Sequence, residues 1–597
     1  MFSSIFFVLS FLALYLVILL YPKTSTKLNL VKQLILGIAT EWLLFVVPSL
    51  IFKILNVNLS LVVMSGICLF LLVPLLWKIR QNGEIQKYYI EKYDVINVVI
   101  ITILFATLFF NIFSLDLDLR YLNSDAANHF DMAMRIVRDK QSQVGSMYFT
   151  AMLNATVINI AKPFLEELFY YKAFIVSDAL VKYLECLLFY VVLSQYSKGK
   201  KIKRILFIPV IFYFCGYPIY SYLIGGFVYW GMGVFFILYL LYILDVYFKE
   251  EKAKKRIETL IMMTFLAISL CYFLFVPIAF AATFVCFIFT KSSKSDLKYK
   301  IATICKMFVL PTIVVLGFII YKWQGGLGGL FSNVQTDGGI YSNLYSDFIL
   351  LVPFVIYNVV ICLKTKKINN VQFFTLVCVL VTFIMLLACY KGYISRYYYY
   401  KMYYVLWAVV WIEVVIAVDR MLEEQRDFIV SYLIMICVFF ILQMTNIEDK
   451  VIDKVPKIQL EEAKSNLFPI YQYNKHYIGI LGFWDDAERL ELYQYVLNNY
   501  PTYDESGKVV PLIVSKSNQG DCYWYSAITS HYSQDFYVGR YTEEIVLNNF
   551  QILDQHTDHF MVFTDSDVYC EYADIFNQYE KVFENSKGII FNTKKVR

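Results

Sequence analysis

Long apolar runs alternate with short charged connectors over the first three quarters of the chain. Runs of about 20 apolar residues, the length that crosses a bilayer as a helix, lie near 2–21, 31–53, 57–77, 95–114, 168–194, 205–223, 226–248, 306–321, 347–363, 371–390, 403–419 and 428–445. The run from Thr259 to Phe289 is too long for one untilted span and contains Pro277, so it predicts a hairpin of two shorter helices. The pattern amounts to roughly 13 or 14 crossings. The first run lacks a basic leader and a small-residue cleavage site, so it is expected to stay as a helix. After residue 446 the pattern shortens. "YIGILGF", "VVPLIVS", "HFMVFTD", "YEKVFEN" and "GIIFNT" predict strands, while "DDAERLELYQYVLNNY" and "VYCEYADIFNQY" predict helices, together about one α/β domain in length.

Composition supports a membrane protein. Of 597 residues, 59% are hydrophobic and 17% charged, against roughly half and a quarter in soluble domains, and the mean hydropathy is +0.57. Abundant Tyr and Phe with modest Gly and Pro favour helices with aromatic belts over a β-barrel. The basic connectors 78–92, 198–204, 249–256, 291–300 and 364–367 belong in the cytoplasm. Alternating the spans between them places 115–167, 322–346, 391–402 and everything after about 446 outside. The expected organisation is N-terminal transmembrane helices (1–114), a first large outer loop (115–167), a transmembrane core (168–445) and an extracytoplasmic α/β domain (446–597) of a multi-pass plasma-membrane protein. No Gly-rich phosphate loop opens a helix, so nucleotide binding is not indicated, and nothing points to nucleic acid. The twelve cysteines lie singly; Cys522 and Cys570, in the polar tail, can pair if that tail is outside.

Candidate chemistry concentrates in the outer loop. "YLNSDAANHFDMAMRIVRDK" (121–140) holds the only histidine before residue 476. With Ser124 as N-cap, Asp125–Arg138 can run as a helix along the surface, with Asp125 and His129 on one face and Asp131 and Arg135 paired on another. The small residues after Asp125 let another group approach closely. Asp116, Asp118 and Arg120 lie just upstream. A second outer loop, "KGYISRYYYYKMYY", supplies Lys391, Arg396 and Lys401 among tyrosines that line a sugar site or anchor at the interface.

An acid opening a helix in the first large outer loop, followed within about one turn by His-Phe, resembles the GT-C superfamily of membrane glycosyltransferases. Its protein mannosyltransferases carry Asp-Glu followed by His-Phe near this spot. Here "SDAANHF" lacks the Glu, and the His lies one position later. The resemblance implies transfer of a sugar from a polyprenyl-phosphate carrier to a cell-surface glycan or lipid, with inversion. Asp125 would be the base that takes the acceptor proton, and His129, Arg120, Arg396, Lys401, Asp116, Asp118 and Lys391 would be substrate-binding groups that meet, among other things, the leaving phosphate. A divalent ion (Mg, Mn or Ca) at Asp125 and His129 is compatible with the family. The alternatives are a lipid-linked-sugar transporter or flippase, an O-antigen-type polymerase or ligase, and a non-catalytic scaffold.

Other features have plainer readings. Asp178, Lys182 and Glu185 on the span 168–194 are spaced to neutralise one another, as a staple between helices or as an ion-coupling group. Glu41 is a lone acid in an apolar span. The acids of "WDDAER" and "DSDVY" read as surface groups. Three Gly pairs in 323–347, with Asp337, suit a mobile lid.

Overall fold

A computed structural model describes residues 1–21, 27–82, 85–121, 124–139, 147–215, 223, 225–249, 254–290, 297–322, 345, 348, 350–424, 484–500, 509–514, 519–531 and 557–595. The span expected at 428–445, the glycine-paired loop with Asp337 and the strand "YIGILGF" fall outside them.

The chain begins with α1 (Phe2–Leu20), β1 (Leu28–Asn29), α2 (Leu30–Ile54), α3 (Leu61–Asn82), β2 (Tyr88–Tyr89) and α4 (Lys92–Phe113). Then come α5 (Ser124–Val137), α6 (Tyr148–Ala161), α7 (Tyr170–Tyr196), the short α8 (Lys200–Lys203), α9 (Phe207–Cys215), α10 (Val228–Lys249), α11 (Lys254–Cys271) and α12 (Val276–Phe289). The bundle closes with α13 (Leu297–Lys322), α14 (Val352–Thr365), α15 (Asn370–Tyr390) and α16 (Arg396–Glu423). Six of these, α1 to α4, α10 and α15, are long and apolar enough by length and composition to cross a membrane. Phe2, Leu9, Phe70, Phe383 and Ile384 are more than half exposed on the outside of the bundle, an apolar surface that suits lipid better than water.

The expected hairpin is present. α11 ends at Cys271, a 3-10 turn covers Phe273–Phe275, and Pro277 falls in the first turn of α12, where its missing N–H costs no hydrogen bond. α6 was not foreseen. Its 14 residues are too few for a span, yet Phe149, Met152, Ala155 and Ile158 are buried, and the helix packs against α5 and α7.

The tail comprises α17 (Ala487–Asn499), β3 (Leu512–Ile513), α18 (Gln519–Thr529), β4 (His559–Phe563), α19 (Asp567–Phe576), β5 (Tyr579–Glu584) and β6 (Gly588–Lys595). The strands form one sheet in the order β3-β4-β6-β5, with β3 parallel to β4 and the other pairs antiparallel. Alternation sorts its faces: Phe560, Val562, Ile589 and Phe591 pack with Val568 and Phe576 of α19, and Met561, Phe563 and Ile590 join a core with Leu492 of α17 and Trp524 of α18. α18 was not foreseen either. Cys522 is buried on it while Cys570 is exposed on α19, and both are free thiols, so the possible pairing does not form.

Candidate functional site

α5 is not a helix lying on the surface. Ala126, Ala127, Phe130, Ala133 and Met134 are at most 1% exposed. The helix is held between α6 on one side and α18 of the tail on the other. Trp524 stacks on Tyr121 at 5.7 Å and approaches Phe130 at 6.2 Å. The small residues after Asp125 do permit a close approach. Gly226 has φ +66°, and a Cβ built there would lie 2.4 Å from Ala126 Cβ, so only glycine fits this turn.

Asp125 lies in the first turn of α5, where the helix dipole favours an anion. It is half-buried. Burial raises its pKa above the ordinary carboxylate value, and the Lys401 ammonium works in the opposite direction. His129 follows on the same face, buried, with its ring 4.5 Å from that of Tyr229. Burial, reinforced by the charges of Lys182 and Lys401, pushes its pKa down to about 3. His129 is therefore neutral at physiological pH, and acts as a hydrogen-bonding or packing group rather than a proton carrier.

Lys401 reaches this site from the first turns of α16. It is buried, and its Nζ lies 3.7 Å from the ring centre of Tyr397, 4.7 Å from Tyr398, 4.8 Å from Trp230 and 5.3 Å from Tyr272. Four ring faces surround the amine. Burial pushes its pKa well below the ordinary lysine value, and the rings and the Asp125 carboxylate favour the charged form against that loss of water. Tyr397 precedes Lys401 by four residues, so one face of α16 presents both. Two of the tyrosines expected to line a sugar site or sit in a belt are thus bound to the cation.

The structure separates the other candidates. Asp118 pairs with Arg120 at 3.4 Å in the loop before α5. Asp116, Lys391 and Arg396 are exposed. Arg135 bonds Asp131, at 2.7 Å, on a different face of α5 from Asp125. In a metal site Asp125 and His129 would need further ligands. Among the described residues no third His, Cys, Asp or Glu joins them, and a fixed ammonium stands nearby, so this donor set does not suit a divalent ion.

Behind the site runs a closed polar seam. Lys182 donates to Asp178 at 2.8 Å, Tyr121 donates to the same carboxylate at 3.2 Å, and Tyr213 donates to Glu185 at 2.6 Å. All three charged residues are fully buried. The spacing on α7 was legible, but Tyr121 and Tyr213 were not. Glu41 is also fully buried, and neither carboxyl oxygen has a hydrogen-bond partner among the described residues.

The acids of "WDDAER", expected at the surface, form a latch instead. Trp484 donates its backbone N–H to Leu119 O (3.2 Å) and its Nε1–H to Tyr121 O (2.8 Å). Asp485 accepts from the Leu119 N–H at 2.8 Å and the Tyr171 hydroxyl at 3.3 Å. Asp486 caps α17, and Arg489 pairs with Asp521 at 2.6 Å. Arg138, at the end of α5, donates to Ile528 O at 2.8 Å and pairs with Glu167. The tail thus grips both ends of α5. Tyr229, Trp230, Tyr272, Gly226 and Trp484 had no sequence signal beyond an aromatic and glycine-rich setting. No family model matches this chain, and neither a curated protein nor a solved structure matches it.

Proposed function

We propose that this chain is a membrane glycosyltransferase that moves a sugar from a polyprenyl-phosphate carrier to a cell-surface glycan or lipid acceptor on the outer face of the plasma membrane. The observation that carries the reading is Asp125: a half-buried carboxylate at a helix start, coupled to a caged ammonium and backed by a neutral imidazole. Such a carboxylate suits a general base. Burial raises its proton affinity, and the charge of Lys401 opposes that rise. In the reaction the acceptor oxygen bonds to the anomeric carbon as the carbon–oxygen bond to the lipid phosphate breaks. The acceptor proton passes to Asp125, and polyprenyl phosphate leaves. Direct displacement inverts the anomeric centre. Arg396 and Lys391, exposed at or near the start of α16, meet the phosphate from the side open to lipid headgroups.

The test compares cells making the native protein with cells making Asp125→Asn at equal level. Lipid-linked sugars are measured by mass spectrometry and surface glycans by sugar composition. The reading predicts that one lipid-linked sugar accumulates and one glycan decoration disappears. If both stay unchanged with folded protein present, the transferase reading is lost.

A further inference from the structure

A cleft between the bundle and the tail domain lies away from Asp125. It encloses about 710 Å³, within the range of about 300–1,000 Å³ of cavities that hold small ligands. One wall is formed by the loop before α5, the 3-10 turn Glu167–Phe169 and the start of α7; the other by α17 and β5. We propose that this cleft binds a carbohydrate chain free of anionic groups.

Rings come from both walls. Tyr495 stacks on Phe583 at 4.4 Å and 24°, forming one platform on the tail side. Phe169, half-buried, lines the bundle side, with the buried ring of Tyr171 6.3 Å behind it. The C–H face of a pyranose carries a slight positive charge, and packs on the negative faces of such rings. The polar groups suit its hydroxyls. Asp118, Glu166, Asp485 and Glu491 offer carboxylate acceptors. Gln494 and Asn498, hydrogen-bonded to each other at 2.9 Å, add amides that both donate and accept. Among the described residues the lining cation is Lys172, which lies 5.3 Å over the Phe169 ring. Asp118 is paired with Arg120 and Asp485 is engaged in the latch, so Glu166 and Glu491 carry the negative excess over Lys172, which disfavours phosphate, sulfate or uronate and admits neutral or amine-bearing sugars. Asp118 belongs to the loop that runs into α5, so an occupant of the cleft touches the segment that leads into the helix of Asp125. That it is the acceptor rests on the transferase reading; that it binds does not.

The test uses the full chain in lipid nanodiscs with three labelled probes: a neutral hexose oligomer, an amine-bearing hexosamine oligomer and a uronic-acid oligomer. The first two are expected to bind and the third not. Tyr495→Ala is expected to weaken neutral binding by about tenfold, the worth of one lost aromatic platform. Glu491→Lys, at an exposed position, is expected to admit the uronic-acid probe. Asp125→Asn is expected to bind as the native protein does, so retained binding with unchanged transfer would sink the transferase reading alone. The cleft proposal is overturned if the native chain binds none of the probes, if the uronic-acid probe binds as well as the neutral one, or if Tyr495→Ala and Glu491→Lys both behave as native.

Discussion

Two acid–lysine pairings lie close together in this bundle and are built in opposite ways. Asp178 and Lys182 sit one turn apart on α7, joined by a 2.8 Å hydrogen bond and wholly shielded from solvent. Asp125 and Lys401 come from different helices. The acid is partly open, and the ammonium is held by rings rather than by carboxylates. In the first pair each charge consumes the other, and Tyr121 adds a further donor to Asp178. In the second the ammonium is packed among rings, and the carboxylate that feels its charge keeps part of its surface open. Enclosure makes a staple; partial exposure suits the reagent that the transferase proposal requires.

The sharpest way to break this contrast is Asp125→Asn, expected to lower transfer about 10²–10⁴-fold, the usual worth of a general base, with little change in thermal unfolding. The native pH profile sharpens it. Because the folded-state pKa of Asp125 is raised, the base is lost as pH falls through that raised value. The acidic limb of activity is therefore expected above the ordinary carboxylate value of about 4. Lys182→Met should act on the other side, costing roughly 3–5 kcal/mol of stability because buried acids lose their counter-charge. Thermal unfolding of the purified protein measures this, and Lys401→Met should reduce transfer with a smaller loss of stability. Equal losses from the two lysine variants would erase the distinction.

A third outcome concerns the tail that covers α5. His531 Nδ1 accepts from the Val510 N–H at 2.9 Å, and Nε2 lies 2.9 Å from Tyr500 O, which fixes the neutral Nε2–H form. Its pKa is lowered to about 4, chiefly by burial. The unfolded chain then binds more protons between about pH 6.5 and 4, so stability is full above that window and falls on acidification through it. The expected loss reaches about 3 kcal/mol, read as protease sensitivity of the tail against pH, and His531→Gln should flatten it. The smallest effect is expected from Gly226→Ala. Its positive φ and the 2.4 Å approach to Ala126 should cost about 1–3 kcal/mol, with reduced transfer as α5 shifts.

Much of the architecture was legible because long apolar periodicity is local. The helix of "DDAERLELYQYVLNNY", the last three strands and the Pro277 hairpin all lie where the pattern put them. α6 and α18 escaped because each is short and owes its burial to neighbours rather than to its own length. At the site, Asp125 and His129 share a face as their spacing required. The ring cage did not follow from spacing, since Trp230 arrives from α10 and Tyr272 from the link after α11. Arg396, singled out beside Lys401, is exposed five positions before it, about one and a half helical turns away and on another side. The latch at Trp484 read as surface because its partners are more than 360 residues distant in the chain.

That latch sets the limits of any exchange between related proteins. The backbone of Leu119 and Tyr121 is bonded to Trp484 and Asp485, and Arg138 to the backbone of Ile528. A new tail grafted at the junction before Trp484 would meet a loop shaped for the old one. The transplantable unit is therefore discontinuous in sequence: residues 115–139 must travel with the tail, and a chimera that honours only the apparent domain boundary would misplace Asp125.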